Sequence, residues 1–454
     1  MKKVVMSVYI LIIVLAFAAI ELLFGTSVSP KIATIYALIA SLVSIFCFWA
    51  NNKISLVGLT GVILLYTILT QFGLVIIYYF LGSSFLENYS TYTLRFLESD
   101  QLAKAILLGA IAIIIYTISA NISLKYESFT YVERNEDKTN NNKILVGVGY
   151  LFLIIVLLFY CFYIAIGAFK IGGSYSEFRD NVISTSNIYA YILMLYSMGI
   201  IFVVAAGNKK QIKYGLLLYC MSAFILLMTG NKGEVFYSVL ACIGVTKYRK
   251  FKINKKIFLL FFLIVFVLIP FVTANRETGI ANSINNISVN FTDAFTEMGM
   301  QIRVSVYVLE EFARGTRELM YGYSYCSPVI NIISKIVPLL GLKVTVPLDY
   351  NFLTEYAGMG FSQVAESYCN FGIWGILIFY FIIGKTMSQK EKSCMDEYQL
   401  AFWGCLTSIL INATRNRFAF VLGQTLMIYI VIRLIKHFGN YKKEGEQNES
   451  ITNN

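Results

Sequence analysis

Apolar residues run along this chain in blocks too long for a soluble core. Stretches near 4–24, 32–50, 55–82, 102–124, 144–167, 189–207, 213–229, 233–247, 257–274, 370–388, 398–413 and 418–436 carry almost no charge. A helix of about 20 residues crosses a hydrocarbon core of roughly 30 Å. The pattern therefore predicts about twelve transmembrane helices, divided into an N-terminal bundle over 1–275, a large loop over 276–369 and a C-terminal part over 370–454. Most connections are short. The segment Lys125 to Lys143 is polar with balanced charge and reads as a hinge between helix groups. Ala168 to Asn187 carries Tyr175, Glu177, Arg179 and Asp180. Arg276 to Cys369 covers 94 residues without a full crossing, a length at which loops carry function or structure of their own.

Composition agrees with this pattern. With 57% hydrophobic residues, 14% charged residues and 5 prolines in 454, a soluble globular chain is excluded and an all-α polytopic membrane protein is expected. The first block follows Met1-Lys2-Lys3 and lacks a small-x-small cleavage site before Pro30, so it reads as a retained anchor. Counting basic residues over alternating loops sets the orientation. A cytoplasmic N-terminus puts 23 of the 37 basic residues inside, including those of the run Lys247 to Lys256, and makes both termini cytoplasmic.

Lysine and arginine sort differently. Of 26 lysines 20 fall inside, whereas 8 of 11 arginines fall outside: Arg95, Arg179, Arg276, Arg303, Arg314, Arg317, Arg415 and Arg417. Positive-inside topology accounts for the lysines only. Arginine offers a rigid fork of donors that grips phosphate and stays charged when partly desolvated. The outer face is thus expected to meet a phosphate-bearing ligand, against the plainer alternative that each arginine snorkels or pairs with a nearby acid. The net charge of +11 sits on inner loops and tails, where anionic lipid headgroups account for it without nucleic acid. Eight cysteines are scattered without CxxC or metal spacing; Cys326 and Cys369, both on or near the outer side, are the two that could pair.

Within the long loop, Met298, Ile302, Val306, Leu309 and Phe312 recur at helical spacing from Thr292 to Arg314. Arg303, Tyr307, Glu310, Arg314 and Arg317 then share roughly one quadrant of the opposite face, with Arg317 beyond the last turn because Gly315 weakens it. The loop as a whole has six basic and nine acidic residues, so any anion site in it is local. Tyr321 to Gly341 is apolar but interrupted by Pro328 and Pro338, and reads as re-entrant or interfacial. Asp349, Tyr350, Asn351 and Glu355 lead into Gly358 and Gly360, and from Phe361 onward Ser362, Glu366 and Asn370 stack at i, i+4, i+8. Glu366 lies where the loop returns to a spanning helix. A charge at a helix centre costs on the order of 2.5 to 3.5 kcal/mol unless it meets water or a partner, which makes this acid a candidate site.

Three other places carry polar groups at membrane depth. TGNKGEVF puts Lys232 and Glu234 in a tight turn where Gly230 and Gly233 allow close approach, as ligand contacts or as an internal ion pair. NATRNRF puts Arg415 and Arg417 in the turn between the last two helices, where two like charges favour an anion. Glu21, near the outer end of the first helix, reads as a structural cap or interfacial residue.

The TGNKGEVF turn, the large loop with YGYSY followed by Pro338, the GMGFSQVAESYCNFG segment with Glu366, and the late arginines Arg415 and Arg417 together resemble Wzy-type oligosaccharide repeat-unit polymerases. The resemblance covers nearly the whole chain as architecture, and GMGFSQVAESYCNFG is its most specific part. It implies a GT-C-like glycosyltransferase or O-antigen ligase-type fold in the bacterial inner membrane. It also implies transfer of a growing glycan from undecaprenyl pyrophosphate to the next lipid-linked repeat unit on the extracytoplasmic face, with donor, acceptor and membrane lipids as partners. A chain-length regulator protein is a further partner of that family.

The residues themselves fit such a reaction, which needs a base at the acceptor hydroxyl and positive charge at the departing pyrophosphate. Glu366 is the expected base, and Arg276 and Arg303 are the expected catalytic cations at the departing pyrophosphate. Arg179, Lys232, Arg314, Arg317, Tyr350, Asn370, Arg415 and Arg417 are the expected binding residues. No cofactor is expected, and no metal, since the outer side has no D-x-D or histidine cluster and the single histidine, His437, lies in the tail. A flippase for the same lipids, a ligase with another acceptor and a scaffold without chemistry remain alternatives. No internal repeat of the transporter kind is visible.

Overall fold

The computed structural model describes residues 10–19, 21, 28–50, 55–82, 86, 91–122, 142–186, 188–249, 272, 291–336, 359–392 and 395–452. Among these the regular structure is helical, with no strand. Eight helices are long and apolar enough to cross a membrane: α1 (Pro30–Ala50), α2 (Leu59–Leu81), α3 (Leu102–Ile122), α4 (Lys143–Ala165), α5 (Tyr189–Ala206), α6 (Lys209–Met228), and the spans Gln363–Glu391 and Ala419–Gly439. Of the other expected crossings, 233–247 is the 14-residue α7 (Gly233–Thr246) and 398–413 falls in a 17-residue helix. Helices of that length measure about 21 and 26 Å. The first block is represented by the shorter helix Ile10–Ala19, and 257–274 lies outside the described residues apart from Val272.

The chain divides into two compact units. The first takes residues up to Tyr126, Asn290–Ser393 and Leu410–Gly423; the second takes Glu127–Val289, Cys394–Ile409 and Gln424–Asn454. In the second, α4, α5, α6 and α7 pack on one another. Its turn over 229–232 is tight as expected: Gly230 has φ of +84°, and Asn231 donates to the Tyr189 hydroxyl at 2.5 Å.

The first unit is built around α3, which is buried over 89% of its span because α1, α2 and the helix α11 defined below cover its sides. The segment expected as one amphipathic helix over 292–314 is two, α8 (Phe291–Gly299) and α9 (Ile302–Ala313). The reason is a close crossing. A Cβ on Gly299 would collide with the Leu74 backbone, and one on Gly73 would sit 2.5 Å from the Phe295 carbonyl, so α8 lies directly on α2 before the chain turns. The predicted apolar stripe holds, with Met298, Ile302, Val306 and Leu309 buried. Val304 and Val308 pack against Phe361, Ala365 and Cys369.

α10 spans Tyr323–Ile336, and Met359 to Ser362 lead into α11 (Gln363–Lys392). This helix is two pieces joined where Phe371 and Gly372 leave helical geometry, Gly372 with φ of +60°. A Cβ on Gly375 would strike the Ser367 carbonyl, so the second piece turns back against the first and only glycine fits. The carbonyls released at the break are taken up by the residues before α10: Met320 N–H donates to Cys369 O at 2.9 Å and Tyr321 N–H to Asn370 O at 3.0 Å. Beyond the break roughly 20 residues remain, about 30 Å of helix. That piece is long enough for a crossing by itself, which leaves the short piece bearing Glu366 free of that task. The final helices are α12 (Glu397–Ala413) and α13 (Ala419–Thr452).

Candidate functional site

Glu366 is fully buried in the short first piece of α11. Its side chain is held at both oxygens: the Ser324 hydroxyl donates to Oε1 at 2.7 Å and the Phe418 main-chain N–H donates to Oε2 at 2.8 Å. Ser362, Glu366 and Asn370 occupy successive turns as their spacing predicted, and all three are buried. Ser362 meets α2 and α9, accepting from Gln71 Nε2 at 3.3 Å and from the Ser305 hydroxyl at 3.2 Å. Asn370 donates to Ser324 at 2.7 Å. Lower on the same piece, Tyr325 donates to the Ser367 hydroxyl at 2.9 Å.

The turn over 414–418 ties this acid to the arginines. The Arg415 carbonyl accepts from Phe361 N–H at 2.7 Å, and Gly360 lies so near that carbonyl that a Cβ would stand 2.5 Å from it. The Arg415 side chain reaches Gln301 Oε1 at 3.4 Å, while the amide of Gln301 donates to the carbonyls of Met359 at 3.0 Å and Phe361 at 3.3 Å. Arg303, two residues further into α9, is half-buried, and its Nε is buried with no hydrogen-bond partner among the described residues. Burial holds this guanidinium below the usual arginine range; Tyr307 and Glu297 oppose that effect and the positive charge of Arg415 adds to it. A desolvated arginine edge beside a second arginine is an anion-binding arrangement.

The other predicted residues fall elsewhere. Arg417 acts electrostatically on Glu366 from the same turn. Arg314 caps α9, is exposed, and pairs with Glu310 at 3.1 Å. Arg317 pairs with Glu311 and is largely buried beside Cys369. The expected arginine stripe is thus divided, with Arg314 and Arg317 neutralised by their own segment and Arg303 turned inward. Arg179 and Lys232 belong to the second unit; Arg179 is exposed and bonded to Asp180 at 2.9 Å. Arg276 and Tyr350 lie outside the described residues. Cys326 and Cys369 are free thiols, the first exposed and the second buried. Among the described residues no three His, Cys, Asp or Glu side chains gather as a metal site would require.

A family model described as O-antigen polysaccharide polymerase Wzy matches residues 4–441. The chain belongs to the Wzy O-antigen polysaccharide polymerase family. It is also similar to Protein CapE of Staphylococcus aureus, 26% identical over 391 residues, which is 86% of each chain. No solved structure matches it. Membership in the Wzy family makes it a multi-pass membrane protein and a polysaccharide repeat-unit polymerase, a glycosyltransferase-type activity on lipid-linked oligosaccharides.

Several groups of this candidate site are unmarked in the sequence. Ser324 stands inside YGYSY, a stretch that carries the family resemblance with no role given to its serine. Gln71 is the one amide in the otherwise apolar run of α2, and an intramembrane amide is a signal that could have flagged it. Gln301 and Ser305 sit on the α9 face that was read as apolar. The Phe418 N–H is a main-chain donor and leaves no trace in a side-chain pattern.

Proposed function

We propose that the chain joins lipid-linked repeat units at the extracytoplasmic face of the bacterial cytoplasmic membrane, with both termini cytoplasmic. The growing glycan moves from undecaprenyl pyrophosphate to the non-reducing end of the next lipid-linked repeat unit. Glu366 takes the proton of the acceptor hydroxyl as its oxygen bonds to the anomeric carbon of the donor, and the bond from that carbon to the pyrophosphate oxygen breaks. Arg303 and Arg415 receive the negative charge that develops on the departing pyrophosphate, with Arg276 as a further contributor. In this scheme the arginines supply the positive charge.

The observation that carries the reading is the 414–418 turn. One short turn holds Arg415 against Gln301, at the end of α9 that bears Arg303, and gives its Phe418 N–H to Glu366. An acid and an anion site thereby share one scaffold. That sharing is what a transfer with a phosphate leaving group needs.

Deletion of the gene in its host, with surface polysaccharide and lipid-linked intermediates separated on a gel, tests this. The expected result is loss of the long-chain ladder with a single repeat unit still reaching its final acceptor. Complete loss of surface glycan with intermediates trapped on the inner leaflet would instead identify a flippase and overturn the proposal.

A further inference from the structure

Ser324 has no part in the scheme above, yet it bridges Glu366 and Asn370. Its oxygen lies 2.7 Å from Glu366 Oε1 and 2.7 Å from Asn370 Nδ2. A third contact fixes the direction of both. Asn370 Nδ2 is also 2.8 Å from the main-chain carbonyl of Glu366, which can only accept. The nitrogen end of the amide therefore faces Ser324 and donates to it. The single proton of Ser324 is left for the carboxylate, whose other oxygen already receives the Phe418 N–H. Glu366 is thus ringed by donors, the surroundings of a carboxylate that takes up a proton and not of a carboxylic acid that gives one.

Ser324 is itself well placed to stay put. It is buried in the first turn of α10, its carbonyl accepts from the Ser327 hydroxyl at 2.9 Å, and the residues just before it are bonded to the Cys369 and Asn370 carbonyls at the break in α11. One atom of the cluster is left over. Asn370 Oδ1 is buried and has no hydrogen-bond partner among the described residues. With its nitrogen end committed, that oxygen can only accept, so the ligand it suits carries a hydrogen-bond donor such as a sugar hydroxyl.

We infer that Ser324 is a positioning residue for the polymerase: Asn370 orients the Ser324 hydroxyl, that hydroxyl holds Glu366 as a proton acceptor, and Asn370 Oδ1 receives a second hydroxyl of the acceptor sugar. The inference rests on Glu366 being the base. The charged or titratable groups that face Glu366 are Arg417 from the 414–418 turn, Tyr325 from α10 and Cys369 from α11, and all three stay unchanged in the variants below.

The test uses the full chain in lipid nanodiscs with lipid-linked repeat unit isolated from host cells lacking the gene. Ser324→Ala is expected to lower kcat on the order of tenfold to a hundredfold, as loss of an orienting partner does, with KM nearly unchanged. The acid limb of its pH profile should move about one unit toward alkaline pH, because the carboxylate has lost one donor. Ser324→Thr keeps the hydroxyl and should restore the limb. Asn370→Ala should move the limb the same way and raise KM as well. Wild-type kcat and limb in Ser324→Ala would overturn the inference, as would equal impairment of the Ala and Thr variants with the limb unmoved. Glu366→Gln separates the two readings. If it still polymerises, the base assignment fails and this inference with it; if it is inactive while Ser324→Ala matches wild type, only this inference fails. Should Ser324→Ala not reach the membrane, Ser324→Cys, a weaker donor of similar size, gives the same reading of the limb.

Discussion

Arg303 and Arg314 stand at the two ends of α9 and meet opposite fates. Arg314 lies in solvent and is satisfied by Glu310 one turn back; Arg303 is drawn in, beside Arg415, with its Nε lacking a hydrogen-bond partner among the described residues. Both were read from the sequence as members of one stripe. What separates them is not position on the helix but what the helix packs against. The N-terminal end of α9 lies along the start of α11 through Gln301 and Ser305, while its C-terminal end runs out to Gly315 at φ of +70°. An exposed pair such as Arg314–Glu310 contributes at most about 1 kcal/mol and is screened by salt. A desolvated guanidinium is kept by a fold for another reason, and an anionic substrate is a sufficient one.

The contrast between an acid-and-arginine centre and a solvated periphery can be broken most severely at Glu366. Glu366→Gln keeps shape and loses basicity, so polymer should disappear, a fall of at least about 10³ in rate, while the protein still inserts. Wild-type chain lengths on a polysaccharide gel would refute the base role. Next come Arg303→Lys and Arg415→Lys, which keep the charge and lose the bidentate fork. Each should slow polymerisation by about 10² to 10³, by comparison with loss of a single oxyanion donor. Full activity in both would reduce these arginines to structural parts. A milder effect is expected for Gln301→Ala, which removes one hydrogen-bond partner of the Arg415 side chain; about a tenfold loss in rate is expected, as for other orienting partners. The smallest belongs to Arg314→Ala. Turnover should stay within about twofold and stability within about 0.5 kcal/mol, and a loss as large as that of Arg303→Lys would erase the distinction drawn between the two ends of α9.

Much of this was legible in the residues. Long apolar blocks exposed the membrane spans, the spacing of Met298, Ile302, Val306 and Leu309 marked the buried face of α8 and α9, and i, i+4, i+8 spacing set Ser362, Glu366 and Asn370 in one row. The break between α8 and α9 was not legible, because it depends on Gly73 and Gly299 meeting across two distant segments. The kink at Phe371 and Gly372 was hidden for a related reason: its released carbonyls are satisfied by Met320 and Tyr321, and local sequence does not announce such a partner. Arginine sorting pointed to anions on one face but could not tell Arg303 from Arg317, since Glu311 forms an i, i+4 helical pair with neither and only packing brings it to Arg317.

The bond from Phe418 to Glu366 joins residues 52 positions apart, and the donor comes last in translation. Until that turn has been made, the Glu366 carboxylate has no main-chain donor at Oε2. A chain halted before this turn would insert most of its helices and remain inert. Premature stop codons late in the gene should therefore be as damaging to polysaccharide as early ones.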